Sequence, residues 1–199
     1  MIEIEPKTPR KAASREKILE SAGVLMRERG ISGASVANVM GGAGMTVGGF
    51  YAHFPSKQSL VAETLRSTLR KSREGLESYA GQRRGADRVE AVTRSYLSRA
   101  HRDNPEAGCP LPATAGELAA ADISVREVLA EELGVDVAMM ESSLMEAGVE
   151  HAHGEAIAAL ATMVGGLTLA RALKGTKLSD EVLKACRDHI KRSLPRGGE

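Results

Sequence analysis

The stretch Gly44-Met45-Thr46-Val47-Gly48-Gly49-Phe50-Tyr51-Ala52-His53-Phe54-Pro55-Ser56-Lys57 holds three of the five aromatic residues of a chain with no Trp, 2 Phe and 3 Tyr. Large rings normally fill the main core of a domain. Their crowding here predicts a small separate core near the N-terminus. Thr46 can cap a helix ending near His53, Pro55 forbids its smooth continuation, and Ser56 caps a new helix with Leu60, Val61, Leu65, Leu69 and Leu76 on one face.

Toward the N-terminus, Ser35 caps a short helix through Val36, Val39 and Met40 that stops in Gly41-Gly42-Ala43-Gly44. Before it, Ile18, Ala22, Leu25 and Met26 recur at helical spacing from Ser14 until Gly30 closes the helix as a C′ glycine. Two short helices joined by a Gly-bearing turn behind a longer one form a helix-turn-helix. Each interior glycine costs about 1 kcal/mol relative to Ala. Gly41 and Gly42 therefore predict a frayed end to the second helix, ordered only when a partner binds. Residues 1–13 include Pro6, Lys7, Pro9, Arg10 and Lys11 without periodicity and read as a mobile basic arm.

Beyond Gly81-Gln82-Arg83-Arg84-Gly85 the helices lengthen. A fifth carries Val89, Val92, Tyr96, Leu97 and Ala100 and breaks at Asn104-Pro105, and an alanine-rich sixth covers about 112–121. Ser124-Val125-Arg126-Glu127 reads as a capping box opening a seventh that reaches about Ala147. The eighth and ninth run over about 155–174 and 179–193. No period-two run of β-branched residues occurs. The expected fold is all-α with about nine helices: a three-helix helix-turn-helix domain over 14–55, then a helical bundle over 56–199.

A length of 199 residues with 42% hydrophobic and 27% charged residues excludes disordered and collagen-like classes. The net charge of +1 divides unevenly: residues 1–60 carry 8 Lys/Arg against 5 Asp/Glu, and the rest carries 19 against 21. The basic excess thus falls on the aromatic segment. No run supplies the ~18 uncharged apolar residues of a spanning helix, and the acidic N-terminus has no apolar signal core. A cytoplasmic protein with no membrane partner is expected, with Cys109 and Cys186 as reduced thiols. There is no nucleophile triad, phosphate-binding loop or zinc spacing, so no enzyme, cofactor or metal is expected. His151 and His153 at i, i+2 do not share a helix face.

Ser35 to Lys57, and above all Phe-Tyr-x-His-Phe-x-Ser-Lys after Gly-x-Thr, resembles the DNA-binding domain of the TetR/AcrR transcriptional repressors over roughly the first third of the chain. The resemblance implies that 56–199 is a regulatory and dimerisation domain whose last two helices pair with their twins, and it implies a pseudo-palindromic DNA operator and a small-molecule effector. It also implies phosphate contacts by Tyr51, His53, Lys57 and Thr46, with Ser35 beside them. Phe50 and Phe54 at i, i+4 share the core face, which turns Tyr51 outward.

The base-facing positions hold Val47, Gly48 and Gly49, none able to form a bidentate bond to a base. The glycines either let the backbone approach DNA closely or permit tight helix packing. Asn38, and Arg10 or Lys11 reaching the minor groove, are the candidates for further readout. With only Tyr79 and Tyr96 as aromatics in the regulatory half, the effector pocket is expected to be aliphatic and methionine-lined. Its candidates are Tyr96, Cys109, Met139, Met140, Met145 and Met163. Cys109 has two readings, a packed thiol or an electrophile sensor activated by His101. Around Gly165-Gly166, the residues Ala159, Met163, Gly166, Leu167 and Ala170, with Val182, Cys186 and Ile190 of the last helix, form either the dimer interface or a seam within one subunit.

Overall fold

The computed structural model describes residues 9–195, and all regular structure among them is helical. The N-terminal unit consists of α1 (Pro9–Gly33), α2 (Val36–Gly42) and a 3-10 turn over Val47–Ala52. Pro9 opens α1, where a fixed φ and a missing N–H suit the first helical turn. The arm expected to reach residue 13 is therefore shorter: Arg10 and Lys11 stand exposed on the helix, and residues 1–8 lie outside the described residues. Gly30 breaks α1 with φ 72 and ψ −176, a conformation reserved for glycine.

Phe50 and Phe54 share a buried face as their spacing predicts, but the core is not separate: the same hydrophobic cluster continues through Leu65 and Leu69 of the next helix into the rest of the chain. Phe50 and Phe54 are 0% exposed among Ile18, Met26, Val39 and Met40, their ring centroids 5.8 Å apart. The Arg15 guanidinium lies 4.6 Å over the Phe54 ring and pairs with Glu63. α2 does not fray. Gly44, at φ 70, donates its N–H to Gly41 O at 3.0 Å and Met45 donates to Met40 O at 2.8 Å, closing a Schellman turn. Gly42 fits closely over Ser21, whose hydroxyl donates to Val39 O at 2.9 Å.

α3 (Lys57–Ala80) starts at Ser56, whose Oγ accepts from the Ser59 N–H at 3.0 Å, and continues unbroken into the second unit. There follow α4 (Gly85–Tyr96), α5 (Arg99–Asp103), a 3-10 turn over Pro105–Ala107, α6 (Leu111–Leu118), α7 (Ile123–Glu146), α8 (Ala152–Ala172) and α9 (Lys177–Arg192). The predicted fifth helix is two, because Leu97 leaves the helical region and Ser98 caps α5 by accepting from the His101 N–H at 3.1 Å. α7 is capped by Asp122 rather than Ser124: the carboxylate accepts from the Ser124 N–H at 3.0 Å and from its hydroxyl at 2.8 Å, so the capping box does not form. α3 packs on α7 and α4, α8 lies between α7 and α9, and α1 rests on α6.

By length and composition α8 is apolar enough to cross a membrane, contrary to the expectation from its Gly, Thr and Arg171. Its inner face explains that composition. Ala159, Met163, Gly166, Leu167 and Ala170 are buried within the chain with Ile190, while Val182 and Cys186 are half-buried beside them. A Cβ at Gly166 would stand 2.6 Å from Cys186 Sγ, so this glycine lets α9 close on α8. The residues expected at a dimer interface thus form the seam inside one subunit. Ile157, Ala161, Gly165 and Leu169, four residues apart, face outward instead.

Candidate nucleic-acid interface and internal cavity

The residues expected to meet DNA differ in exposure within the N-terminal unit. Tyr51 is 75% exposed while Phe50 beside it is buried, so the ring projects from the core it helps to build. Thr46 is exposed and its side chain makes no capping bond, leaving its hydroxyl free. Lys57 stands at the first residue of α3, and His53, half-buried, has an unpaired buried Nδ1. Ser35 uses its oxygen as the α2 cap, accepting from the Asn38 N–H at 3.2 Å. Asn38 is exposed and donates its side-chain amide to Gly33 O at 3.2 Å.

The segment over Val47–Ala52 is a 3-10 turn rather than the expected α-helix. Gly48 and Gly49 supply no side chains to support an α-helical ladder, and glycine loses the most backbone entropy on ordering. A Cβ would meet nothing within 4 Å at Gly48 and only Met40 Cε, at 3.8 Å, at Gly49. These glycines therefore do not serve helix packing. They leave a bare backbone ridge beside exposed Val47.

A cavity of about 80 Å³ lies between α3, α4, α7 and α8. Tyr96, Cys109, Met139, Met140 and Met163, five of the residues expected to bind an effector, all line it, along with Leu69 and Leu76 of α3. Met145 is exposed and takes no part. The Tyr96 hydroxyl is buried with the Cys109 thiol as its nearest polar neighbour, and burial raises its pKa well above the usual phenol value.

Cys109 itself is 4% exposed, and burial pushes its thiol up. His101 does not activate it. Its Nδ1–H donates to Tyr96 O at 2.8 Å, its Nε2 accepts from the Cys109 backbone N–H at 3.0 Å, and burial lowers its pKa, so the ring is a neutral brace. A thiol held protonated and covered is a packed residue rather than an electrophile sensor.

Two sets of polar residues have no clear signature in the sequence. In the cavity wall, Arg73 of α3 donates to Asp136 Oδ1 at 2.6 Å and to Glu132 Oε2 and O at 2.8 and 2.9 Å. Burial raises the Asp136 carboxyl even with Arg73 beside it. The available signal was an arginine four residues after Leu69 on the buried stripe of α3. At the junction of the two units, Glu117 of α6 accepts from the N–H groups of Ile31 and Ser32 at 2.7 and 2.8 Å and from the Ser32 hydroxyl. Burial alone would raise this carboxyl, but the Ser32 and Ile31 hydrogen bonds, with Lys57 nearby, hold it below the usual carboxylate range.

Comparison with known proteins agrees with this architecture. The family model for bacterial regulatory proteins of the tetR family matches residues 18–64, and that for the tetracyclin repressor-like C-terminal domain matches residues 85–186. The HTH-type transcriptional repressor KstR2 of Mycolicibacterium smegmatis is 37% identical over 65 residues, 32% of each chain, so the match spans about a third of that relative's length. An HTH-type transcriptional regulator of Mycobacterium tuberculosis is 25% identical over 191 residues, 91% of this chain and 96% of the relative. Among solved structures, E. coli NemR in its reduced form superposes with a TM-score of 0.80 at 19% identity, over 94% of this chain and all of that one. With both units matched in order by their family models, the chain belongs to the TetR family of bacterial transcriptional regulators.

Proposed function

We propose that this protein is a homodimeric repressor that binds a pseudo-palindromic operator and releases it when a small molecule enters the cavity. The carrying observation is the course of α3, whose first residue is half-buried Lys57 in the N-terminal unit and whose Leu69, Arg73 and Leu76 line the cavity. One helix thus belongs to both sites. An effector that fits better in one tilt of α3 shifts the population toward that tilt, and its differential affinity for the two states sets the response. Two recognition segments must lie about one DNA turn apart, roughly 34 Å, which a symmetric dimer fixes. The outward stripe of α8 through Ile157, Ala161, Gly165 and Leu169 is the surface that supplies the pairing. The cytoplasm is the compartment that holds the operator, and the repressor names among the relatives support the polarity.

Gel-shift titration of Lys57→Ala and Tyr51→Ala tests the contact surface. Each variant should bind operator more weakly, and Lys57→Ala should flatten the dependence of log affinity on log salt by about one unit, as loss of one cationic phosphate contact requires. Unchanged affinity in both variants sinks this surface. A helical small-molecule carrier without DNA function would show no salt-dependent binding at all.

A further inference from the structure

We propose that the effector is an anionic amphiphile, with its aliphatic tail in the methionine-lined cavity and its carboxylate head on an arginine rim next to it. This rests on the reading of the cavity as the effector site.

Pockets for whole small ligands measure about 300–1,000 Å³, and a cavity of about 150 Å³ holds one benzene. The internal cavity, at about 80 Å³, accepts only part of a ligand. Beside it an open depression of about 560 Å³ lies between the α3–α4 loop and α7. Arg88, Met139 and Ser143 line both spaces and form the partition between them. Ser143 is tied to Met139 O at 3.1 Å and Arg88 to Glu77, so the partition opens at the flexible Met139 side chain to a chain that continues from one space into the other.

The two spaces also differ in chemistry. The cavity is walled mainly by Leu, Val and Met, whereas the depression is rimmed by Arg83, Arg84 and Arg88. Arg88 is already neutralised by Glu77. Arg83 is held in place by donating Nη1 to Tyr79 O and Ala80 O at 3.1 and 3.0 Å. Among the described residues neither Arg83 nor Arg84 pairs with a carboxylate, and exposed Arg84 immediately precedes the first turn of α4. A carboxylate of the chain already samples this position: Glu146 Oε2, which also borders the depression, accepts from the Gly85 N–H at 3.2 Å. A ligand carboxylate entering here finds two uncompensated guanidinium groups and a helix amide, in competition with Glu146.

Calorimetric titration of the full chain without DNA, using dodecanoate and dodecan-1-ol as probes, tests the assignment. The acid should bind roughly tenfold tighter than the alcohol, the worth of about one charge-assisted hydrogen bond. Arg83→Gln/Arg84→Gln should bring the acid down to the alcohol's affinity and leave the alcohol unchanged, and Glu146→Gln should strengthen the acid alone. Equal binding of acid and alcohol by the wild-type chain, or a preference that persists in the double variant, overturns the proposal. Should the double variant lose the alcohol as well, Glu146→Gln decides, and an unchanged acid affinity there overturns it. Because these readouts contain no DNA, their failure leaves operator release by another effector standing. Acid binding with the expected pattern but no release of the operator would refute the regulatory reading alone.

Discussion

Gly30 and Glu117 show how two residues far apart in the chain can depend on each other. Gly30 sits at φ 72 and ψ −176, and a Cβ there would collide with Glu117 Oε1. Gly30→Ala should therefore destabilise the chain by on the order of 1–3 kcal/mol from backbone strain, with a displaced Glu117 adding to it, as urea denaturation would show. The carboxylate itself gives a pH signature. Its folded pKa lies below the unfolded value, so its contribution to stability is present above about pH 4.3 and fades as pH falls through the folded pKa. Glu117→Gln should remove that dependence, making the loss in urea midpoint between pH 7 and pH 3 smaller than in the wild-type chain. Gly30 is legible in the sequence as a helix stop because that signal is local. Glu117 is not, because its partners Ile31 and Ser32 lie 86 and 85 residues away.

Among the helices, α3 is the one whose composition was legible but whose attachments were not. Its cap at Ser56 and its stripe through Leu65 and Leu69 follow from spacing, and the structure reproduces both. The ion pairs that fasten it to α7, Arg73 with Glu132 and Asp136, read in sequence as ordinary helix surface because burial of a carboxylate depends on which helix faces it. Arg73→Met leaves both carboxylates without their common partner in a mostly buried site. A loss of about 3 kcal/mol in unfolding free energy is expected, at the low end for a broken buried pair because Asp136 is partly exposed. The 3-10 turn over Val47–Ala52 divides in the same way. The residue types marked it as a recognition element, yet helix type was decided by Gly48 and Gly49, which no neighbouring side chain supports.

At the scale of the whole molecule, periodicity identified α8 as apolar but not which side of it faces a second copy. Gly165 and Gly166 are adjacent and do opposite things: Gly166 admits Cys186 of α9, whereas Gly165 faces outward, where a Cβ would meet no atom within 4 Å. Gly165→Glu/Leu169→Glu, two charges on the outward stripe, should convert the dimer to monomer in sedimentation equilibrium and abolish operator binding while leaving the helical circular dichroism intact. Retention of the dimer would place the pairing surface elsewhere.

The length of α3 also acts as mechanical gain. At 1.5 Å per residue the arm from Arg73 to Lys57 is roughly 24 Å, so a tilt of about 3° at the cavity end carries the phosphate-binding end by about 1.3 Å. A two-fold axis doubles that travel into the spacing between the two heads. Hydrogen bonds to phosphate hold only within a few tenths of an ångström of their optimum, so under the proposed function a tilt of this size would be enough to break them. A gearing of this kind is what the proposed function requires of so small a space.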